Sequence, residues 1–566
     1  MAAQPWLRTY PADVSWQIDL PEKPLYSLLD DTVARHPDHT AIDFLGRMTS
    51  YRELGQMTDR AAVGFQRLGV GKGVKVGLFL PNCPQFIACY YAILKAGGTV
   101  VNYSPLYAEE ELLHQIEDSH TDIMVTLDIV QLYPKMATML ARSRLKTLVI
   151  GNMPEVLPFP KNWLYPLAKR KDVAAVPYDA RHVRFKDLIA NDGLLAAPTI
   201  DPREDVAVLQ YTGGTTGVAK GAMLTHYNLY ANVMQSRAWF PHVVDGQERI
   251  MGVLPFFHVF AMTAVMNFSI SAAATIIMHP RFELEAVLTD IDKKKPTLMS
   301  GVPTMFTAIN NHARTPTLDL TSIRACLSGG APLPVEVKER FEKITGATLI
   351  EGYGLTETSP VAACNPPNGV NKTASIGLPL PGTTITITDP DHPERDMPPG
   401  EPGEIRIAGP QVMKGYWNRA EATADSLQGG RLRTGDIGYM DDEGYTFIID
   451  RMKDMILCSG FNVYPRHVEE AIYRHPAVAE VTVIGVPDDY RGESPKAFVV
   501  LRKDHEPATV ADIMAFLGDK LGRHELPSEI EFRDALPKTM IGKLSKKELV
   551  AEERKKIEAR KRAAAG

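Results

Sequence analysis

Between Tyr211 and His226 the chain reads YTGGTTGVAKGAMLTH, a run in which Thr212, Gly213, Gly214, Thr215, Thr216, Gly217 and Lys220 lie within nine residues. Residues of these types suit an anion. Glycines let backbone N–H groups approach phosphate oxygens, hydroxyls add donors, and a lysine adds charge. The Walker template for nucleoside triphosphates needs a Gly-Lys-Ser/Thr ending. Here Ala219 precedes Lys220 and Gly221 follows it, so that template fails. Composition alone leaves two outcomes open, a phosphate cradle and a flexible Gly/Thr turn.

A phosphate loop needs a rigid element to launch it. DVAVLQYT (Asp205–Thr212) has the apolar, β-branched character of a buried strand and runs straight into the glycines. Upstream, VKVGLFL (Val74–Leu80) reads as a strand ended by Pro81. CPQFIACYYAILKAGG reads as a helix ended at Gly97 and Gly98, and TVVNYSPL starts the next strand. This β-then-α rhythm recurs through TLMSGVPTMFTAI and RACLSGGAPLPVEVKERFEKIT, so parallel sheets covered by helices are expected, in the α/β class.

After about Thr373 the pattern shortens. GTTITITD, GEIRIAG and GYTFIID alternate over a few residues each, as in a small β-barrel-like unit. The charged DRMKD (Asp450–Asp454) interrupts them. A helix (HVEEAIYRH), two strands (AEVTVIGV, PKAFVVLR) and another helix (VADIMAFLGDKL) then form a small α+β unit. The expected division is a large N-terminal domain over 1–452 and a small C-terminal domain over 453–566, with the boundary at Lys453.

The 566 residues suffice for roughly three to five compact units. A net charge of −6 offers no electrostatic case for nucleic acid. Five scattered cysteines without a C-x-x-C pair argue against a disulfide framework and for a reducing cytosol, and no signal peptide is visible. Val259 to Met278 is uncharged and as long as a bilayer span, but it contains Thr263, Asn267, Ser269, Ser271 and Thr275. It is expected to be a buried helix to Ile270 followed by a buried strand. FPKNWLYPLAKRK (Phe159–Lys171) is expected to be an exposed loop broken by Pro160 and Pro166, with contact to a membrane surface as the alternative. The basic C-terminal tail is expected to be a solvated helical end.

Seven motifs follow in order: YTGGTTGVAKG, PFFHVFAM (Pro255–Met262), SGGAPLP (Ser328–Pro334), EGYGLTET (Glu351–Thr358), RTGD (Arg433–Asp436), IIDRMKDMILCSGFNVYP (Ile448–Pro465) and PKTMIGK (Pro537–Lys543). The series resembles the adenylate-forming superfamily of acyl-CoA synthetases, luciferases and nonribosomal adenylation domains, from about Leu25 to Leu549. PNCPQFIACYYAILKAGGTVVNYSPLY and the glycine-rich stretch look most like bacterial medium- and long-chain fatty acyl-CoA synthetases.

The resemblance implies a carboxylic acid, ATP with Mg²⁺, and coenzyme A as co-substrate. The acid carboxylate attacks the α-phosphorus, pyrophosphate leaves, and the CoA thiol then displaces AMP. It also implies the roles. Thr212 to Lys220 would hold the β- and γ-phosphates, Glu357 the Mg²⁺, and Thr356 the α-phosphate. Tyr353 and Gly354 would face adenine, with Gly330 and Ala331 on its other side, and Asp436 and Arg451 would bind ribose. Lys543 would enter from the small domain to meet the carboxylate and α-phosphate. Lys453 would be the hinge of a mobile lid, and Ser459, Gly460 and Phe461 would face the pantetheine arm after rotation. His258, among aromatics, would stand at the acid-pocket mouth, with a hydrogen-bonded core histidine as the alternative. The acyl tunnel would draw on His258–Met266 and Val302–Met305.

Two positions depart from the fatty-acid pattern, Arg431 where tryptophan is usual and His467 where glutamate is usual. They leave open a dicarboxylic or aromatic acid. Acyl transfer to a carrier protein also stays open, as do a peripheral contact at the inner membrane face and a homodimer. The expected location is cytoplasmic, without a nucleic-acid partner.

Overall fold

The computed structural model describes residues 4–212, 219–459, 461–488, 490–502, 505–539, 542 and 544–565, with side chains to 559. Among them lie two large mixed sheets. In the first, strands Thr348–Gly354, Ala325–Ser328, Leu298–Gly301, Arg249–Gly252, Thr275–Met278 and Thr40–Phe44 run parallel in that spatial order. In the second, Val206–Thr212, Thr99–Asn102, Lys75–Leu78, Thr121–Leu127, Thr147–Gly151 and His182–Arg184 run parallel. Both carry antiparallel strands at an end. The expected α/β class and the strand-then-helix rhythm are found.

The helices are set by local chemistry and kept by burial. Ser50 and Glu53 form a capping box at the start of Tyr51–Arg67: Glu53 N–H donates to the Ser50 hydroxyl and Ser50 N–H to the Glu53 carboxylate. Thr225 and Asn228 do the same for His226–Trp239, so the chain leaves its strand and enters a helix without a loop. Pro84–Lys95 is buried all round, as an apolar helix between other elements must be. Its Lys95 reaches out to Asp30 and Asp59.

Val259–Met278 is core. A short helix passes through a π-helical turn, Met262–Asn267, into Phe268–Ser271 and the strand Thr275–Met278. The Asn267 amide oxygen accepts the Tyr91 hydroxyl at 2.7 Å, which satisfies its polar group inside the protein. No helix of the described residues is long and apolar enough to cross a membrane.

Phe159–Lys171 differs from expectation. Lys161–Ala168 is a helix, with Pro160 at its N-cap, where no N–H is needed, and Pro166 in its last turn, where one bond is lost. None of its residues is buried, and Phe159, Trp163 and Leu167 are 83%, 72% and 74% exposed.

Thr384–Thr388, Gly403–Ala408, Arg431–Met440, Leu427–Gln428 and Thr446–Arg451 make an antiparallel sheet. Its pairing does not close into a barrel among the described residues; Thr384–Thr388 and Leu427–Gln428 end the path. One buried apolar cluster spans Trp6 to Tyr445, and two further clusters lie between Ile456 and Leu549. The latter belong to the C-terminal sheet built on the long hairpin Val478–Asp488 and Gly492–Leu501.

Candidate active site

Four adjacent parallel strands of the first sheet end on one edge, and each delivers an expected segment. Arg249–Gly252 leads to the PFFH loop and His258; Leu298–Gly301 to Val302–Thr304; Ala325–Ser328 to Gly330 and Ala331; Thr348–Gly354 to Thr356 and Glu357. The carboxyl edge of parallel strands is where α/β folds hold ligands. Asn82 steadies the PFFH loop from below, donating to the Leu254 carbonyl at 2.8 Å and accepting from Phe256 N–H at 2.8 Å. Gly329 allows a close approach, since a Cβ there would stand 3.1 Å from the Phe260 ring. Gly330 takes φ +84°, a left-handed conformation that favours glycine.

The Thr356–Thr358 turn aims Glu357. Thr358 accepts Leu355 N–H at 2.9 Å and donates to the Pro360 carbonyl, and Met413 N–H donates to the Glu357 carbonyl at 2.8 Å. The Glu357 carboxylate accepts the Tyr416 hydroxyl at 2.6 Å. Burial, and then Glu357 itself, push the Tyr416 hydroxyl far above its ordinary range, so it remains a donor. The Lys220 ammonium stands 5.1 Å from the Tyr416 ring centroid. Sequence reasoning missed Tyr416. Its signal was the glycine-aromatic run Gly415-Tyr416-Trp417, but its partner appears only because Gly415–Tyr416 pairs with Ala222 and Met223 on the strand after the glycine-rich loop. That strand, Lys220–Thr225, pairs antiparallel with Val206–Thr212, setting Thr212 opposite Lys220. The strands on either side of the glycine-rich run are thus hydrogen-bonded to each other.

A second group assembles at the β-unit. Asp436 and Arg451 are register partners on neighbouring strands, with the guanidinium Nε 3.1 Å from the buried carboxylate. Tyr353 also donates its hydroxyl to Asp436. Burial and then Asp436 keep that hydroxyl protonated. Strand Ala325–Ser328 lies beside Thr348–Gly354, so Gly330 and Ala331 follow the strand next to Tyr353. Ser328 Oγ at that edge is buried without a hydrogen-bond partner. Together a half-buried ring, a carboxylate, a guanidinium and an open hydroxyl make a fitting place for a nucleoside.

The small C-terminal unit docks beside this edge. Thr304 donates its hydroxyl to the Gly542 carbonyl at 3.0 Å. The Asp450 carboxylate accepts Arg466 N–H at 2.7 Å, in the first turn of helix Pro465–Tyr473, where negative charge is favoured. Burial lifts the Glu351 carboxyl to about 7, against the nearby Arg466 charge. Lys453 lies in the 3-10 turn Met452–Asp454 between the two units; burial, and then Arg451, lower its pKa.

The remaining expected residues, where described, make local contacts. His258 caps the helix beginning at Val259, its Nδ1 accepting Phe260 N–H at 3.3 Å. Ser459 and Phe461 are exposed in the small unit, Ser459 N–H donating to the Arg491 carbonyl and the Phe461 ring lying against His524. Gly213, Gly214, Thr215, Thr216, Gly217, Gly460 and Lys543 lie outside the described residues. Arg431 binds Asp396 at 3.0 Å in the β-unit, and His467 binds Glu525 at 2.9 Å in the small unit. Both are spent on local carboxylates, so neither departure argues for a second acid group.

A small apolar cavity lies against the strands that lead to this edge. Trp239, Phe240, Ala264 and Phe268 wall one side, and residues 298–300 and 325–327 of two neighbouring strands the other. Of the expected wall His258–Met266 only Ala264 lines it, and Val302–Met305 does not. The peptide after Gly301 turns out to meet Gly542 instead.

Magnesium fits Glu357 on donor chemistry. Among the described residues no three His, Cys, Asp or Glu cluster. A hard ion there would rely on one carboxylate, with phosphate oxygens and water completing its shell, as is usual for magnesium.

A family described as AMP-binding enzyme matches residues 29–417, and one described as AMP-binding enzyme C-terminal domain matches residues 467–543. The chain is 46% identical over 554 residues to a long-chain-fatty-acid–CoA ligase of Bacillus subtilis (strain 168), covering 97% of this chain and 98% of that one. ATP-bound MatB from Rhodopseudomonas palustris is similar in structure with a TM-score of 0.81 at 29% identity, over 93% of this chain and 98% of its own. O-succinylbenzoate coenzyme A synthetase (MenE) from Bacillus subtilis, in complex with ATP and magnesium ion, gives 0.75 at 28% identity, over 93% and 98%.

Proposed function

Since the chain belongs to the AMP-binding enzyme family, we infer that it joins a medium- or long-chain fatty acid to coenzyme A through an acyl-adenylate, releasing AMP and pyrophosphate. The observation that carries this is an apolar cavity lined by Leu298 and Ala325, on strands that lead to the edge holding Gly330, near the paired Asp436 and Arg451. Its apolar lining suits methylenes, and the strands that form it lead to the edge where the acid carboxylate would meet the nucleotide.

The chemistry assigns the residues. Asp436 accepts the ribose hydroxyls, Arg451 braces that carboxylate, and the Tyr353 ring with Gly354, Gly330 and Ala331 encloses adenine. Glu357, fixed by Tyr416, would hold magnesium, which when bound offsets charge on the phosphate oxygens. Thr356 donates to the α-phosphate. Thr212, Lys220 and the loop between them hold the departing pyrophosphate. Two anions meet in the first step, so a cation must stand where charge develops. Lys543 supplies it; supporting this, its neighbour Gly542 is bonded to Thr304 at the mouth of the edge. His258 lines that mouth. In the second step the small unit turns about Lys453 and brings Ser459 and Phe461 to the pantetheine of CoA. The thiol then attacks the acyl carbonyl, and AMP leaves.

The test is pyrophosphate release by purified protein with ATP, magnesium and a panel of mono-, di- and aromatic acids, followed by detection of the CoA thioester. Acid-dependent pyrophosphate with a saturated C10–C18 acid and a CoA product is expected. Release only with dicarboxylic or aromatic acids, or transfer only to a carrier protein, overturns the substrate.

We also propose that helix Lys161–Ala168 touches an anionic membrane surface. Exposed Phe159, Trp163 and Leu167 beside Lys169, Arg170 and Lys171 make the mixed apolar and basic face that such surfaces attract. Co-sedimentation with phosphatidylglycerol vesicles should fall at least fivefold for the double variant Trp163→Glu, Leu167→Glu. Equal sedimentation of variant and parent overturns the contact.

A further inference from the structure

The inner cavity has a second boundary, away from the nucleotide. Phe240, Leu298 and Ala325 line both that cavity and a separate surface cleft. Inside stand Trp239 and Met299, buried and apolar. Outside, the lining turns polar with His242, Arg324 and Asn368. All three shared residues are only half-buried, so the partition is one side chain thick.

The strands give the direction. Leu298 and Ala325 begin two parallel four-residue strands whose far ends, Gly301 and Ser328, lead to Thr304 and Gly330. The partition thus lies roughly 10 Å down the sheet from the edge where the acid carboxylate reacts. Leu298 and Ala325 are held in register with their neighbours. Phe240 is not. It follows helix His226–Trp239 with φ −113° and ψ 68°, outside helical geometry, and its ring meets Phe268 edge-on with centroids 6.1 Å apart. At the outer mouth the Asp13 carboxylate accepts the Asn368 amide at 3.3 Å and lies 3.4 Å from His242 Nε2.

Building on the fatty-acid reading, we propose that Phe240 forms a distal port. The terminal carbons of a long acid pass its ring and emerge in the cleft between His242 and Arg324. A closed cavity rejects an acid longer than itself, because close-packed walls do not yield to extra methylenes. A port does not. Methylenes inside the cavity each raise kcat/KM about fourfold, and those beyond Phe240 add little, so activity climbs with chain length and then levels.

The experiment measures kcat/KM for saturated C8 to C20 acids with the full-length protein, Phe240→Trp and Leu298→Phe, the second variant giving the same reading where the first does not fold. The parent profile is expected to level off. Either variant, by filling the port, should lower the C18 to C10 ratio at least tenfold. A parent profile that collapses beyond its maximum overturns the port, as do folded variants whose ratio stays within twofold of the parent. A parent that releases pyrophosphate with none of these acids overturns the fatty-acid reading instead.

Discussion

Thr304 and Gly542 join the two units: the hydroxyl of Thr304, just past the end of one parallel strand, donates to the Gly542 carbonyl at 3.0 Å. A Cβ at Gly542 would stand 2.9 Å from that hydroxyl oxygen, and Gly542 takes φ +82°, so glycine is needed twice over. The contact holds Gly542 beside the carboxyl end of strand Leu298–Gly301.

Lys543→Ala is expected to slow acid-dependent pyrophosphate release by ~10²–10³-fold while sparing thioester formation from supplied acyl-adenylate. Single-turnover assays of the two half-reactions separate them. Equal loss in both would remove Lys543 from its role.

Lys453→Pro is expected to give the opposite pattern. A stiffened turn between the units still permits adenylation but hinders the rotation that admits CoA. Burst release of pyrophosphate without turnover is the signature, and normal steady-state turnover would refute the hinge.

Tyr416→Phe removes the hydroxyl that Glu357 accepts. A hydrogen bond to a charged group is worth ~1.5 kcal/mol or more, so the magnesium concentration for half-maximal rate should rise about tenfold. An unchanged magnesium titration would show that Tyr416 does not position Glu357.

Asp436→Asn weakens the pair with Arg451. KM for ATP should rise roughly tenfold or more, with little change in KM for the acid. A double-mutant cycle with Arg451→Gln checks the coupling; additive effects would mean that the two act separately.

His226 is buried, its Nδ1 accepting Leu25 N–H at 3.1 Å, and burial lowers its pKa to about 4. The unfolded chain takes up this proton near pH 6.5 and the folded chain only near 4. Stability from this site is therefore whole above pH 6.5 and lost as pH falls toward 4, by about 2 kcal/mol at pH 5. Melting temperatures measured from pH 7 to 5 should fall more for the parent than for His226→Asn. Parallel curves would contradict the assignment.

Much of this was written locally. The run from Val206 to Thr212 is a strand because its β-branched and apolar residues allow little else, and the helix at His226 starts where Thr225 and Asn228 cap it. Two prolines in Phe159–Lys171 favour a broken loop, yet Lys161–Ala168 is a helix. They fall at the N-cap and in the last turn, where a helix tolerates them. Arg431 and His467 depart from the fatty-acid pattern, but their carboxylate partners, Asp396 and Glu525, lie 35 and 58 residues away, and only the fold brings them together.

By itself the sequence determined the class of fold, the order of the segments and the residue types that ATP chemistry needs, because periodicity, caps and motif spacing act within a few residues. Only the tertiary structure decided that Tyr416 meets Glu357, that Asp436 faces Arg451 and that Thr304 holds Gly542. These pairs lie 59, 15 and 238 residues apart. Strand register and domain docking bring them together, and both depend on how whole faces bury against each other rather than on any local preference.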